Sequence, residues 1–447
     1  MHPSEGASQP PAAGRTPPVA PRRHWLLYHI SGAIARAAAA VVPAGDRKFT
    51  RSLAARRGIR ERFRAWGAAH RDESRPLLWM HAPSVGEGLQ ARPVLEQLRV
   101  RHPTLQLAYT HFSPSAATFA SSLPVDVHDY LPFDTAGDAR AILAAWRPTA
   151  LVFSKLDLWP ALAREADRRG VRLGMISATL AEGSGRRGPL AVALLREAYA
   201  RLDAVGAIDP ADAERLVALG VRPEVAQVTG DTRYDQVWAR AVAVVDDNPL
   251  LLPLRSSRPT LVAGSTWPAD ERVLLPAWER IRAGLGEARL ILVPHEPSEE
   301  HLAPLARWAR EAGLRMRRLS EAPDDTWDVL LVDLTGVLGE LYALADVAYV
   351  GGGFHAAGLH SVLEPAAFGV PVLLGPRHDS RDARILLGAG GARAVENAGG
   401  FAMDASEWLA GTVSRTQAGN GAREVVRAGL GASERSTALV ERLLGLR

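Results

Sequence analysis

Glu87 stands in His81-Ala82-Pro83-Ser84-Val85-Gly86-Glu87-Gly88, a carboxylate flanked by two glycines just past the apolar run Leu77–His81. A single acid at a strand end, with small neighbours that let a substrate come close, suits a general base taking a proton from an attacking hydroxyl. Lys155 is a second candidate. Lysine and arginine together number 53, yet Lys48 and Lys155 are the only lysines, so a compact ammonium has been kept in a chain that otherwise uses guanidinium. It follows the apolar run 150–153, where loops of α/β proteins meet their ligands; a leftover solvated lysine is the competing reading. The third feature is Val350-Gly351-Gly352-Gly353-Phe354, which runs on into Ser361-Val362-Leu363-Glu364-Pro365. A strand, a glycine turn and a helix start would offer N–H groups to a phosphate and Glu364 to a ribose, although the glycines alone are equally compatible with a tight turn.

Elements that could position these groups recur along the chain. Leu77–His81, Leu105–Thr110, Ala150–Phe153, Arg172–Ile176 and Ala204–Ala207 read as strands, separated by helical patterns such as Gln90–Arg99 and Pro160–Arg169. The proline-rich stretch Asp246–Pro259 reads as an interdomain connection, after which Thr260–Ala263, Leu290–Val293, Asp328–Val332, Asp346–Val350 and Pro371–Leu374 restart the alternation. The expectation is two doubly wound, Rossmann-like α/β domains facing a cleft, with ligands beyond the carboxyl ends of the strands. That rule adds Ser177-Ala178-Thr179 in the first half, and Ser265, Thr266, His295, Glu296, Thr335 and Gly336 in the second, to the strand-end candidates.

Composition narrows the chemistry. At 447 residues with 47% hydrophobic content the chain can build two cores, and the absence of cysteine removes disulfides and thiolate metal sites. There is no phosphate-binding P-loop, no His-Glu-x-x-His, no Asp-x-Asp and no dinucleotide fingerprint after the first strand. Kinase, zinc hydrolase and hydride-transfer chemistry are disfavoured; no metal and no cofactor are expected, and glycosyl transfer with a carboxylate base fits what is left. Residues 1–23 are rich in Pro, Ala, Gly and Ser, and Trp25–Val42 is then almost uncharged apart from His29 and Arg36. Between Arg22-Arg23 and a basic run, Arg47, Lys48, Arg51, Arg56, Arg57, Arg60, Arg62 and Arg64 against Glu61, this stretch reads as an interfacial helix on a cytoplasmic membrane face. A secretory signal is the competing reading for the leader, and a solvated helix face for the basic run.

Taken in order, Leu78-Trp79-Met80-His81-Ala82-Pro83-Ser84-Val85-Gly86-Glu87, Phe112-Ser113-Pro114-Ser115, Leu131-Pro132-Phe133-Asp134, Gly230-Asp231-Thr232-Arg233-Tyr234-Asp235, Ala263–Pro268, Pro294-His295-Glu296 and Gly351–Phe354 resemble the 3-deoxy-D-manno-octulosonic acid (Kdo) transferases over residues 45–430. The resemblance implies a GT-B glycosyltransferase fold with an acceptor-binding domain (46–245) and a CMP-sugar-binding domain (246–447), preceded by the disordered leader and membrane-associated helix (1–45) read from the residues themselves. It also implies transfer of Kdo from CMP-Kdo to a lipid A precursor at the cytoplasmic face of the inner membrane, with inversion, no metal and no nucleic-acid partner. By resemblance Glu87 is the base, Lys155 and Arg233 stabilise the transition state, and His295, Glu296, Thr335, Gly336, Val337, Ser361, Val362, Leu363 and Glu364 contact CMP; the strand-end and glycine-turn readings add Ser265, Thr266, Gly352 and Gly353 to the nucleotide site. The sequence departs from the family in Lys155 for a common Glu, Arg233 for Lys, Ser361 for Asn and Gly336-Val337-Leu338 for a Gly-Glu-Leu type motif. Another GT-B enzyme, such as a nucleotide-sugar 2-epimerase, and a non-catalytic relic of the fold are the alternatives.

Overall fold

The computed structural model describes residues 48–244, 247–321 and 326–446, so the leader and the stretch Trp25–Val42 lie outside the described residues. Among the described residues the chain forms two parallel seven-stranded sheets. The first holds β1 (Leu77–His81), β2 (Gln106–His111), β3 (Val127–Tyr130), β4 (Ala150–Ser154), β5 (Arg172–Ala178), β6 (Ala204–Ala207) and β7 (Ala226–Val228), in the order β3-β2-β1-β4-β5-β6-β7. The second holds β8 (Thr260–Thr266), β9 (Arg289–Pro294), β10 (Met316–Arg318), β11 (Val329–Leu331), β12 (Val347–Val350), β13 (Val372–Leu374) and β14 (Ala392–Ala394), in the order β10-β11-β9-β8-β12-β13-β14. Both are covered by helices on two faces, so their central strands are buried throughout and read as unbroken apolar runs.

The strand order explains where a ligand can enter. In the first sheet the chain reverses its direction of winding between β1 and β4, which pair directly, and in the second between β8 and β12. Helices diverge to opposite faces at such a point and leave a crevice beyond the strand ends. Glu87 follows β1 and Lys155 follows β4; Ser265 and Thr266 end β8, and the glycine turn follows β12. Of the expected site residues, Glu87, Lys155, Ser265, Thr266 and the glycine turn flank these switch points, whereas His295 and Glu296 follow β9 and Thr335 to Val337 follow β11.

The division between units differs from the expected one. The compact units are residues up to Thr232 together with Gly431–Arg447, and Arg233–Leu430. The described part of the expected connection, residues 247–259, is no free connector: Leu251 and Leu254 are buried in the second unit against Trp327, Leu330 and Tyr342, and apolar packing fixes it despite its prolines. The terminal helix Ala432–Leu444 packs Leu439, Val440, Leu443 and Leu444 against Leu78, Met80, Val94 and Leu98 of the first unit. Gly174 on β5 makes room for it, since a Cβ there would stand 2.7 Å from Leu443. No helix of the described residues is long and apolar enough to cross a membrane.

Candidate active site

In the first unit Glu87 lies in the first turn of helix Val85–Arg101, directly after β1. One of its carboxylate oxygens accepts a short hydrogen bond from Ser84 Oγ, and the other accepts from Lys155 Nζ at 3.5 Å. Ser154 Oγ donates to the Glu87 backbone carbonyl at 2.9 Å, so β4 and the helix start are stitched together where the two side chains meet. Lys155 itself holds a left-handed backbone, φ 66°, with its N–H on the Ile176 carbonyl. A non-glycine residue adopts that conformation only where its surroundings over-determine it.

Those surroundings are polar and aromatic. Asp157 accepts from Trp159 Nε1 at 2.9 Å and faces His81 Nε2 at 3.2 Å, while His81 Nδ1 meets Thr110 Oγ1 at 3.0 Å. Trp79 Nε1 in turn donates to Thr110 Oγ1, so a chain of hydrogen bonds runs from the core to the Lys155 loop. Burial alone would raise the Asp157 carboxyl, but the His81 and Trp159 contacts and the Arg186 charge outweigh it and hold it below the usual aspartate range. Trp159 stacks on Phe112 at 5.4 Å, and the Arg56 guanidinium lies 4.1 Å from the Phe112 ring. Arg56 is buried and donates to the carbonyls of Leu131, Ser52 and Phe112; with Arg60 paired to Asp138 and Arg62 to Asp129, much of the basic run is consumed by the fold.

In the second unit the switch point is built around Trp267, which follows β8. His355 stacks on it at 4.2 Å and His295 at 4.4 Å, and Trp267 Nε1 donates to His360 Nε2 at 3.2 Å. Burial, and then repulsion from His295, hold His360 below the usual histidine range against the pull of Asp270, which suits a ring that must accept that hydrogen bond. Among the described residues no His, Cys, Asp or Glu cluster is arranged to hold a metal ion, these histidines included. A cavity of about 560 Å³ opens beside the tryptophan, walled by Arg272, Glu296, His301 and His355. The glycines of the turn have a steric cause: a Cβ on Gly351 would lie 2.2 Å from the Ser265 carbonyl oxygen, and Gly352 has φ 96° and faces the Gly358 carbonyl. Ser265 is itself left-handed at φ 54°, at an irregularity in the β8–β9 register.

Several expected contacts are different in the structure. Thr266 is buried and its hydroxyl donates to Glu271, which also pairs with His301, so its side chain serves the wall of the cavity. Val362 and Leu363 are core residues, packed with Val350, Leu374 and Leu386, and can offer a ligand only backbone. The glycine turn does not run straight into a helix: the helix Leu363–Ala367 is five residues long and starts ten residues after Gly353. Glu364 sits in its first turn, its carboxyl pushed above the usual glutamate range by burial with Arg240 opposing. Thr335 and Gly336 (φ 86°) lie exposed after β11, Val337 is half-buried, and His295, Glu296 and Ser361 are exposed. Arg233 belongs to the second unit, where it donates to Asp382 at 2.8 Å alongside the Tyr234 hydroxyl. Asp270, His355, His360 and Arg56 were not among the expected site residues, and Trp267 entered only as part of the run Ala263–Pro268; the histidines that meet at Trp267 come from positions 295, 355 and 360, so only His355 and His360, five apart after the glycine turn, signal the cluster in the sequence.

Two doubly wound seven-stranded units, each with polar groups gathered at its switch point, define the GT-B fold class. Residues 57–236 match the family model described as 3-Deoxy-D-manno-octulosonic-acid transferase (kdotransferase). The 3-deoxy-D-manno-octulosonic acid transferase of Chlamydophila psittaci is 30% identical over 363 residues, covering 77% of this chain and 78% of that protein. The enzyme of the same name from Haemophilus influenzae is 28% identical over 390 residues, covering 85% and 90%. The chain belongs to the 3-deoxy-D-manno-octulosonic acid transferase family. Among solved structures, UDP-GlcNAc 2-epimerase from Neisseria meningitidis superposes with a TM-score of 0.60 at 13% identity over 82% of this chain and all of that one, a likeness of fold.

Proposed function

We propose that the chain transfers Kdo from CMP-Kdo to a lipid A precursor, with Glu87 as the general base. The observation that carries the reading is the contact of Glu87 with Lys155 across β1 and β4, at the first unit's switch point. Glu87 takes the proton from the acceptor hydroxyl as that oxygen attacks the anomeric carbon of Kdo and CMP leaves, with inversion. When the carboxylate becomes neutral, the Lys155 ammonium loses its counter-charge, and the negative charge developing on the donor takes its place. The second unit holds the nucleotide through its switch-point groups, the ring cluster around Trp267 and the backbone of the glycine turn. Arg233, a guanidinium already oriented by Asp382, adds positive charge on the donor side.

The leader and what remains free of the basic run bring this chemistry to the cytoplasmic face of the inner membrane, where an acylated, anionic acceptor resides. Family membership supports a transferase rather than an epimerase, since the likeness to epimerases is confined to the fold. Purified protein incubated with CMP-Kdo and a lipid A precursor, with product mass as the readout, tests the reading. Gain of one or more Kdo masses is the expected result. Unchanged CMP-Kdo and acceptor, or conversion of a UDP-sugar to its 2-epimer, contradicts it.

A further inference from the structure

Asp270 lies in the first turn of helix Pro268–Gly284, fully buried, with a donor in each of its lone-pair positions. One carboxylate oxygen accepts from the Tyr349 hydroxyl at 2.8 Å and Phe354 N–H at 3.1 Å; the other accepts from Gly352 N–H at 2.8 Å and Trp267 N–H at 2.9 Å. Its four partners come from the end of β8, from β12 and from both sides of Gly353. A helix N-terminus and charge-assisted hydrogen bonds keep such a carboxylate stable away from water. Nothing in the transfer chemistry uses this group.

We propose that Asp270 is the positioning residue of the donor site, fixing the glycine turn and Trp267 in the shape that receives the nucleotide. The inference rests on the donor reading of the second unit. Because Gly352 N–H and Phe354 N–H are committed to Asp270, they are not phosphate ligands. The turn is held from behind, and of its amides Gly353 N–H is left without a protein acceptor among the described residues. The same carboxylate caps the backbone of Trp267, whose ring carries the stack of His295 and His355. An amide at position 270 keeps the shape but has a single acceptor oxygen, so even when its NH₂ takes the side of the Tyr349 hydroxyl, which can turn to accept, it must face the Phe354 N–H donor, and the turn must move.

Calorimetric CMP binding and steady-state kinetics on wild type, Asp270→Asn and Tyr349→Phe test the proposal. Asp270→Asn is expected to weaken CMP and raise the donor KM by about tenfold or more, with kcat within about threefold, because loss of hydrogen bonds to a charge distorts binding before chemistry. Tyr349→Phe leaves both turn amides bonded and is expected to bind CMP within about twofold of wild type even where it unfolds more easily. If Asp270→Asn does not fold, amide exchange in the wild type decides: Gly352 and Phe354 are expected to exchange slowly before CMP is added and no more slowly afterwards. Asp270→Asn binding CMP as wild type, Tyr349→Phe losing as much affinity, or a Gly352 amide that exchanges freely until CMP protects it overturns the proposal. Wild type that binds no CMP overturns the donor reading and this inference with it.

Discussion

Lys155 combines a strained backbone with a side chain that reaches a carboxylate, and a left-handed non-glycine residue costs about 1–3 kcal/mol. The strain is tolerated because Ser154, Asp157 and the Ile176 carbonyl tie down its neighbours, which keeps the ammonium aimed at Glu87. Replacing Lys155 by Ala is expected to lower kcat about 10²-fold or more, the usual worth of one preorganised electrostatic group, with CMP affinity unchanged. Kinetics and CMP calorimetry on one preparation check it, and a change in CMP affinity alone would contradict the role. Lys155 was legible in the sequence because lysine is so scarce here, and Glu87 because glycines frame it at a strand end. Asp270 was not, since its partners Tyr349 and Phe354 lie 79 and 84 residues away and no local pattern announces them. Arg56 was read as one more surface charge, whereas the Phe112 ring and three carbonyls had claimed it.

The interior strands were legible as apolar runs, β1 and β6 to the residue, because both their faces are buried. The strands that sequence reading missed, β3, β7, β10 and β14, are the edges of the two sheets. They are three or four residues long and partly exposed, so Val-His-Asp-Tyr or Met-Arg-Arg carries no strand periodicity. One of these edges depends on charge. Asp328, just before β11, accepts from the Arg315 side chain and backbone and from Arg258, with Arg282 close by. Burial would raise its carboxyl, but these partners outweigh it and hold the pKa at about 2 against a usual 3.8. A depressed carboxylate stabilises the fold above its unfolded value and loses that contribution as pH falls through the folded one. Asp328→Asn is therefore expected to cost about 2 kcal/mol at neutral pH, with the difference from wild type shrinking between about pH 4 and pH 2. Denaturant titrations across that range check it, and a difference that does not vary with pH would contradict the charge-based account.

At the scale of the whole molecule, each unit carries its own core and its own switch-point site, and the chain returns at residue 431 to complete the first unit. The two-domain plan was legible from the alternation of strand and helix patterns. The return of the terminal helix was not, since its apolar face fits either unit equally well as sequence. Deleting residues 1–45 is expected to release the protein from anionic vesicles while leaving turnover of a detergent-dispersed acceptor largely intact. Residual binding should be weak and salt-sensitive, each free basic residue being worth about 1 kcal/mol at an anionic surface. Sedimentation with vesicles at low and high salt reads this out, and full sedimentation of the truncated chain in high salt would place the attachment elsewhere. The central claim, that Glu87 is the base for Kdo transfer, meets its most direct test in one comparison. Wild type and Glu87→Gln are given CMP-Kdo and lipid A precursor, product is quantified by mass, and CMP binding is measured on the same preparations. Transfer should fall about 10²–10⁴-fold with CMP affinity unchanged. A folded Glu87→Gln protein that transfers Kdo within about tenfold of wild type, less than a positioned base is worth, would contradict the account.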